Sequence, residues 1–321
     1  MTPPDSPGAA PEIEPVPAGV RRPAWSVMIP AFNCARYLRQ TLESVLAQDP
    51  GPDQMQIEVV DDCSTKDDPE GVVREVGQGR AAFHRKLKNE GATANFNTCI
   101  QRSRGHLVHI LHGDDYVLPG FYPRIQEAAE RHPEVSLLAC RSFVVDEASV
   151  ILAVTERLRE LEAGARLADG FFYHTPVQTP GVVVRRAFYE RHGGFLPGLV
   201  HTADCEMWAR AIGLEGGLVT PEVLACYRSF TSNDSGRLAR TAENLNDIKR
   251  LNGLFATRYP AFDQRKASYR LSGLAMRQVE RFSQSGDSEA ANANLNFWKM
   301  NAPVKQRLLR VFEKCVRKIT S

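Results

Sequence analysis

The sequence predicts an α/β fold: a mixed, mainly parallel sheet flanked by helices, followed by a helical C-terminal region. Short apolar runs alternate with amphipathic helical periods from Trp25 to Cys140 at intervals of roughly 25 to 30 residues, the pattern of βα units joined by right-handed crossovers. Two of these runs are followed closely by pairs of aspartates, Asp61-Asp62 and Asp114-Asp115. After Arg237 the chain has few glycines or prolines and many charges, which reads as helix.

Composition sets the outer bounds. With 321 residues, 43% hydrophobic and 24% charged, the chain is ordinary globular material and neither fibrous nor wholly disordered. Forty basic residues against 38 acidic ones leave a formal charge of +2, which gives no bulk reason to expect a nucleic-acid partner. The best apolar runs, Val27 to Phe32 and Leu107 to Leu111, fall far short of the about 20 residues a spanning helix needs. The first 24 residues show no apolar core of the signal-peptide kind, and the seven cysteines are odd in number, dispersed and without a Cys-x-x-Cys pair. We therefore expect a cytoplasmic protein whose thiols are small buried apolar groups.

Residues 1–24 carry seven prolines and almost nothing large and apolar, so composition predicts a flexible leader. The run Val27, Met28, Ile29 predicts a first strand; Leu38, Leu42, Val45 and Leu46 follow at helical spacing. Ile57 to Val60 predicts a second strand, Ala92, Phe96, Cys99 and Ile100 a helix, and Leu107 to Leu111 a third strand after Gly105. Phe121, Ile125, Ala128 and Ala129 repeat the helical spacing before a strand from Val135 to Cys140. From about 150 to 235 the pattern loosens, with a loop-like stretch His174 to Gly181, the pair Gly193-Gly194 and a short helix around Glu206 to Ile212. Such segments are where a substrate-specific wall is built. Three regions result: the leader 1–24, an α/β domain 25–235 and a helical extension 236–321.

In open sheets of this kind ligands bind beyond the carboxyl ends of the strands, which is where the aspartates fall. One Asp pair at a strand end is also a common helix or turn cap. The motifs form an ordered set: Val27-Met28-Ile29-Pro30-Ala31-Phe32-Asn33, Val59-Val60-Asp61-Asp62-Cys63-Ser64-Thr65, Asn89-Glu90-Gly91 and His112-Gly113-Asp114-Asp115. Pro180-Gly181 through Arg185-Arg186 to Gly193-Gly194-Phe195, and Ala203-Asp204-Cys205-Glu206-Met207-Trp208, complete it. Together they resemble family 2 glycosyltransferases of the GT-A fold, over about residues 25 to 235.

The resemblance implies a nucleotide-sugar donor, with a UDP-sugar the first expectation, bound by Pro30, Phe32, Asn33, Asp61, Asp62, Asn89 and Asp114. Within that set Asp62 would contact the base and Asp61 would support its loop or the ribose. Asp114 and Asp115 match the family's Asp-x-Asp-like element, whose last carboxylate, here Asp115, would bind Mg²⁺ or Mn²⁺ against the donor diphosphate. A departing nucleoside diphosphate develops negative charge that a hard divalent ion neutralises through oxygen ligands. Asp204 matches the position of the general base, which would take the proton of an acceptor hydroxyl in one inverting displacement; a helix N-cap is the competing role. Ala203 stands where the family usually has Glu, so Glu206 is a second candidate to share or replace the base. Arg228, in Tyr227-Arg228, is either a phosphate contact or an ion-pair partner. His112 either lines the donor site or hydrogen-bonds locally, and His201, Thr202 and Trp208 lie near the proposed base, where they could meet acceptor.

The implied activity is metal-dependent, inverting transfer of one sugar to a hydroxyl of a glycan or lipid-linked glycan, with a catalytically silent carbohydrate- or nucleotide-binding relative as the alternative. A dinucleotide oxidoreductase would need a Gly-x-Gly-x-x-Gly turn after the first strand, and Ile29-Pro30-Ala31-Phe32-Asn33 has no glycine. Gln278-Val279-Glu280-Arg281-Phe282 echoes the Gln-x-x-Arg-Trp signature of processive synthases, but it lies far from Asp204 and fits a solvated helix face. Val304, Leu308, Val311, Cys315 and Ile319 form one apolar stripe beside six basic residues. That stripe suits either packing on the domain or peripheral contact with an anionic membrane through 304–319.

Overall fold

The computed structural model describes residues 8–157, 172–173, 176–230 and 234–308. They divide into two compact units, Gly8–Ser229 and a second from Phe230 onward. The boundary thus falls a few residues before the expected position at 235.

The first unit opens with strand β1 (Trp25–Ala31), helix α1 (Ala35–Leu46), β2 (Met55–Asp61), α2 (Pro69–Gly77), β3 (Ala82–Arg85), α3 (Ala92–Arg102) and β4 (Leu107–Ile110). The short β5 (Tyr116–Val117), α4 (Phe121–Arg131), β6 (Leu137–Val145) and β7 (Ile151–Val154) follow. A single 3₁₀ turn, Thr179–Gly181, leads into β8 (Val182–Arg185), α5 (Arg186–His192), α6 (Ala203–Glu215) and β9 (Gly217–Arg228). Among the described residues the strands form one sheet in the order β3-β2-β1-β4-β8-β6-β9-β5, with β7 added to β6. β3, β2, β1 and β4 run parallel; β8 is antiparallel to β4 and β6, and β9 runs parallel to β6.

β1 and β2 are buried along their whole length, as central parallel strands covered on both faces must be. Leu38, Leu42 and Val45 of α1 and Phe121, Ile125, Ala128 and Ala129 of α4 deliver the stripes read from the sequence into the core that contains Val27, Ile29, Val59 and Leu138. Trp25 packs edge-on to Tyr122 with centroids 5.1 Å apart, and its indole N–H donates to Gln126 Oε1 at 3.0 Å. Pro69 at the first helical position and Asp68, whose Oδ1 accepts from Gly71 N at 2.9 Å, start α2.

Residues 8–24 do not behave as the flexible leader that composition predicts. Ile13 is buried, Pro11 C=O accepts from Gly194 N at 2.9 Å, and Glu14 C=O accepts from the Arg186 guanidinium at 3.1 Å. One buried isoleucine and a few backbone bonds hold the segment because its prolines leave little entropy to lose.

The second unit holds α7 (Asp234–Arg240), α8 (Glu243–Arg258), α9 (Gln264–Gln284) and α10 (Ser288–Asn301). Asp263 and Asp287 cap α9 and α10, and Leu245, Leu271, Ala275, Phe297 and Trp298 form a core of their own. Gln278 to Phe282 lies within α9, with Gln278 and Phe282 buried. Residues 304–308 are helical, and Val304 and Leu308 are exposed; the remainder of the expected stripe lies outside the described residues. Among the described residues no helix is long and apolar enough to cross a membrane.

Candidate active site

The carboxyl ends of β1, β2 and β4 converge. Ala31 and Asp61 end β1 and β2 in register, and Asp62 N donates to Ala31 C=O at 2.8 Å, so the two strand ends stay joined past the sheet. Asn33 then takes the left-handed conformation (φ 51°), which asparagine tolerates better than most residues. Its N–H donates to Ser64 Oγ, and its side-chain carbonyl accepts from Thr65 N and Lys66 N at 2.9 and 3.0 Å. Asn33 is thereby a clamp between the β1 and β2 loops. Pro30 is buried in β1, and Phe32 stands 47% exposed beside the clamp.

Asp61 is fully buried and accepts from Ser64 N and Oγ, with the Arg85 guanidinium 3.5 Å away. These bonds tie the turn at Ser64 to the end of β2. Asp62 is equally enclosed. One carboxylate oxygen accepts from Gly91 N at 2.8 Å, the other faces Lys86 Nζ at 2.8 Å, and Glu90 N lies within 3.1–3.2 Å of both. Asn89 Nδ2 donates to Asp62 C=O. Gly91 sits at φ 87°, a conformation that costs glycine nothing and lets its N–H meet Asp62. The Asn89-Glu90-Gly91 segment is thus folded directly onto the β2 end.

Beyond β4, Gly113 N donates to Pro30 C=O at 3.1 Å. A Cβ on Gly113 would lie 2.7 Å from Cys34 Sγ, so only glycine fits this crossing. Asp115 follows, buried, with Oδ1 accepting from Arg228 N at 2.8 Å. Its Oδ2 is buried with no hydrogen-bond partner among the described residues and faces His112 Nδ1 at 3.8 Å. Burial, then the neighbouring Asp114 charge, pushes the Asp115 carboxyl well above the usual carboxylate range. One ligand atom from each of His112, Asp114 and Asp115 lies within 4.8 Å of the others. Two carboxylates with a buried unpartnered oxygen form an oxygen-rich set that fits a divalent cation.

Arg228, at the end of β9, is placed differently from a phosphate contact. Its guanidinium donates to the Asp114 carbonyl, to the carbonyls of Asp146 and Glu147, to Ser149 Oγ and to Gln40 Oε1, at 2.6 to 3.1 Å. It also lies over the Tyr37 ring at 4.7 Å. Every guanidinium nitrogen is occupied by protein, so Arg228 positions the acidic pair. The surface ion-pair reading fails as well, because the side chain is buried.

Asp204 lies in the first turn of α6, where the helix dipole favours a negative charge. The capping position belongs to Thr202, and Asp204 Oδ2 accepts from Thr179 Oγ1 at 3.4 Å. Glu206 is buried against Arg210, which contacts it through Nε at 3.0 Å and also donates to the carbonyls of His192 and Gly194. This ion pair holds the Gly193-Gly194 bend and does not suit a proton acceptor. Trp208 is a core side chain, 1% exposed and edge-on to Phe195, and does not suit an acceptor contact. Thr202 is buried and His201 half-buried.

Two residues that carried little weight in the sequence tie these parts together. Asn97 accepts from Phe195 N and donates to Phe195 C=O, at 2.7 and 2.9 Å. Phe96 stacks on His112 and packs against Phe195, with centroids 5.0 and 5.3 Å away. The acidic pair and the loop leading to Asp204 therefore share α3 as their support. The only signal for this was the helical spacing of α3, which does not reveal partners.

The chain matches the family model "Glycosyl transferase family 2" over residues 26–192. An uncharacterised protein of Mycobacterium tuberculosis is 26% identical over 245 residues, covering 72% of this chain and 75% of that protein. Among solved structures, S. aureus TarS 1-349 in complex with UDP-GlcNAc matches with a TM-score of 0.53 at 16% identity, covering 87% of this chain and 93% of that one. Mannosyltransferase PcManGT from Pyrobaculum calidifontis, in complex with GDP-Man and Mn²⁺, matches with a TM-score of 0.52 at 16% identity, covering 97% and 83%. The last two likenesses establish the GT-A fold.

Proposed function

The chain belongs to glycosyl transferase family 2, and from that membership we propose that it transfers one sugar from a nucleotide donor, a UDP-sugar, to a hydroxyl of a glycan or lipid-linked glycan, with inversion. The observation that carries this reading is the Asp115 carboxylate, buried beside Asp114 with Oδ2 unpartnered where the parallel strands end.

Asp114 and Asp115 would hold Mg²⁺ or Mn²⁺, which when bound supplies positive charge against the departing nucleoside diphosphate. Arg228 and the backbone around it keep the acidic pair in place. Asn33, Asp61, Asp62 and Asn89 shape the donor loop, and Phe32 offers it an exposed aromatic face. Asp204 takes the proton of the acceptor hydroxyl as its oxygen bonds to the anomeric carbon and the carbon–oxygen bond to the diphosphate breaks. His201 and Thr202 flank it on the acceptor side. Cytoplasmic residence, with 304–319 resting on an anionic membrane, would suit a lipid-linked acceptor.

The test is nucleoside diphosphate release from a panel of nucleotide sugars, with UDP binding followed separately. Asp115→Ala is expected to abolish turnover and the Mn²⁺-dependent part of UDP binding. Asp204→Asn is expected to lower turnover by about 10²–10⁴-fold with UDP affinity unchanged, since only proton transfer is lost. Full turnover in excess chelator overturns the metal role. Near wild-type turnover by Asp204→Asn overturns the base assignment.

A further inference from the structure

His112 brings the one nitrogen donor among the three groups that meet at the acidic pair. Its Nδ1 is 3.8 Å from the unpartnered Asp115 Oδ2. At metal–donor bonds of about 2.1 Å, donor atoms of one octahedral sphere stand about 3 Å apart when adjacent and about 4.2 Å when opposite. A separation of 3.8 Å falls between these, so a small side-chain adjustment brings both atoms onto one cation. The imidazole is not left to find this orientation alone. Phe96 stacks on it with ring planes 12° apart, and Phe96 is itself backed by Phe195.

We propose that His112 is a nitrogen ligand of this centre, with Phe96 as the residue that positions it, and that the resulting set takes a first-row transition ion such as Mn²⁺ in preference to Mg²⁺. The inference rests on the reading of Asp114 and Asp115 as a divalent-metal site and adds to it the third donor and the choice of ion. Mg²⁺ binds through oxygen and gives up its water reluctantly, so an imidazole adds little to its affinity. First-row transition ions accept a nitrogen donor readily, and for them the same side chain adds a bond.

The experiment is electron paramagnetic resonance of Mn²⁺ on the full-length protein with UDP, together with calorimetric titration of Mn²⁺ and Mg²⁺. The wild-type protein is expected to show nitrogen hyperfine coupling on the bound Mn²⁺, a readout that requires no mutant to fold. His112→Ala is expected to lose that coupling and weaken Mn²⁺ binding by about tenfold or more, with Mg²⁺ binding changed less than Mn²⁺. Phe96→Leu, which keeps an apolar side chain but loses the flat face, is expected to weaken Mn²⁺ selectively as well. Absence of nitrogen coupling in the wild type overturns the proposal, as does equal loss of both ions in His112→Ala. If Asp115→Ala abolishes metal binding while His112→Ala leaves Mn²⁺ affinity intact, the acidic pair remains the metal site and His112 is not its ligand. If neither substitution alters metal binding, the reading of the centre itself falls.

Discussion

Arg228 gathers a turn, a helix and the acidic pair around one buried guanidinium. A lysine in its place would keep the charge and lose the fork that reaches several acceptors at once. Arg228→Met leaves the carbonyls of Asp114, Asp146 and Glu147 without this donor, and about 2–4 kcal/mol of stability should be lost in urea unfolding, given the usual cost of stranding buried polar groups. A loss below about 1 kcal/mol would show that the network carries little energy, and a folded variant of unchanged stability but weakened UDP binding would restore the phosphate role. The same residue marks what the sequence could show. The positions of Asp62 and Asp115 close after β2 and β4 were legible because the apolar runs of those strands mark where they end, whereas Asp204 stands in the first turn of α6. The burial of Glu206 against Arg210 and of Trp208 against Phe195 was not, because it depends on partners that local pattern does not specify.

Elements were legible where one face alone decides them. The stripes of α1, α3 and α4, the apolar run Val27 to Ile29 in β1 and the alternation of Met55, Ile57 and Val59 in β2 carry their own signal. β5, with two residues, and β7, exposed along its length, exist through pairing with β9 and β6. Residues 8–24 were misread because composition weighs apolar area and overlooks how little entropy a proline-rich segment loses. The helix that begins at 304 is the opposite case, with a clear stripe and Val304 and Leu308 exposed. If the stripe meets membrane, full-length protein should sediment with anionic liposomes at low salt, dissociate as salt screens the basic residues, and stay in solution when truncated after Ala302. Full-length and truncated protein both remaining in the supernatant at low salt would assign the helix to packing.

At the scale of the whole chain, the division into two units has a chemical counterpart: each has its own apolar core, and every site residue from Pro30 to Arg228 belongs to Gly8–Ser229. A shared sheet core from Trp25 to Ala225, with residues 8–24 bound to that same unit, gives this stretch what a domain needs to fold alone. The fragment 8–229 should therefore be soluble and cooperative in thermal unfolding. Ligand that binds only the folded state at 100 times its Kd contributes about 2.7 kcal/mol, which for a domain of this size raises Tm by roughly 5–10 °C. UDP with Mn²⁺ should produce that shift in the fragment as in the full chain, and Asp115→Ala should remove its Mn²⁺-dependent part in both. A shift in the full chain that is missing from a folded fragment would mean that the helices after Phe230 take part in donor binding. A fragment that does not fold would make the two cores one cooperative unit.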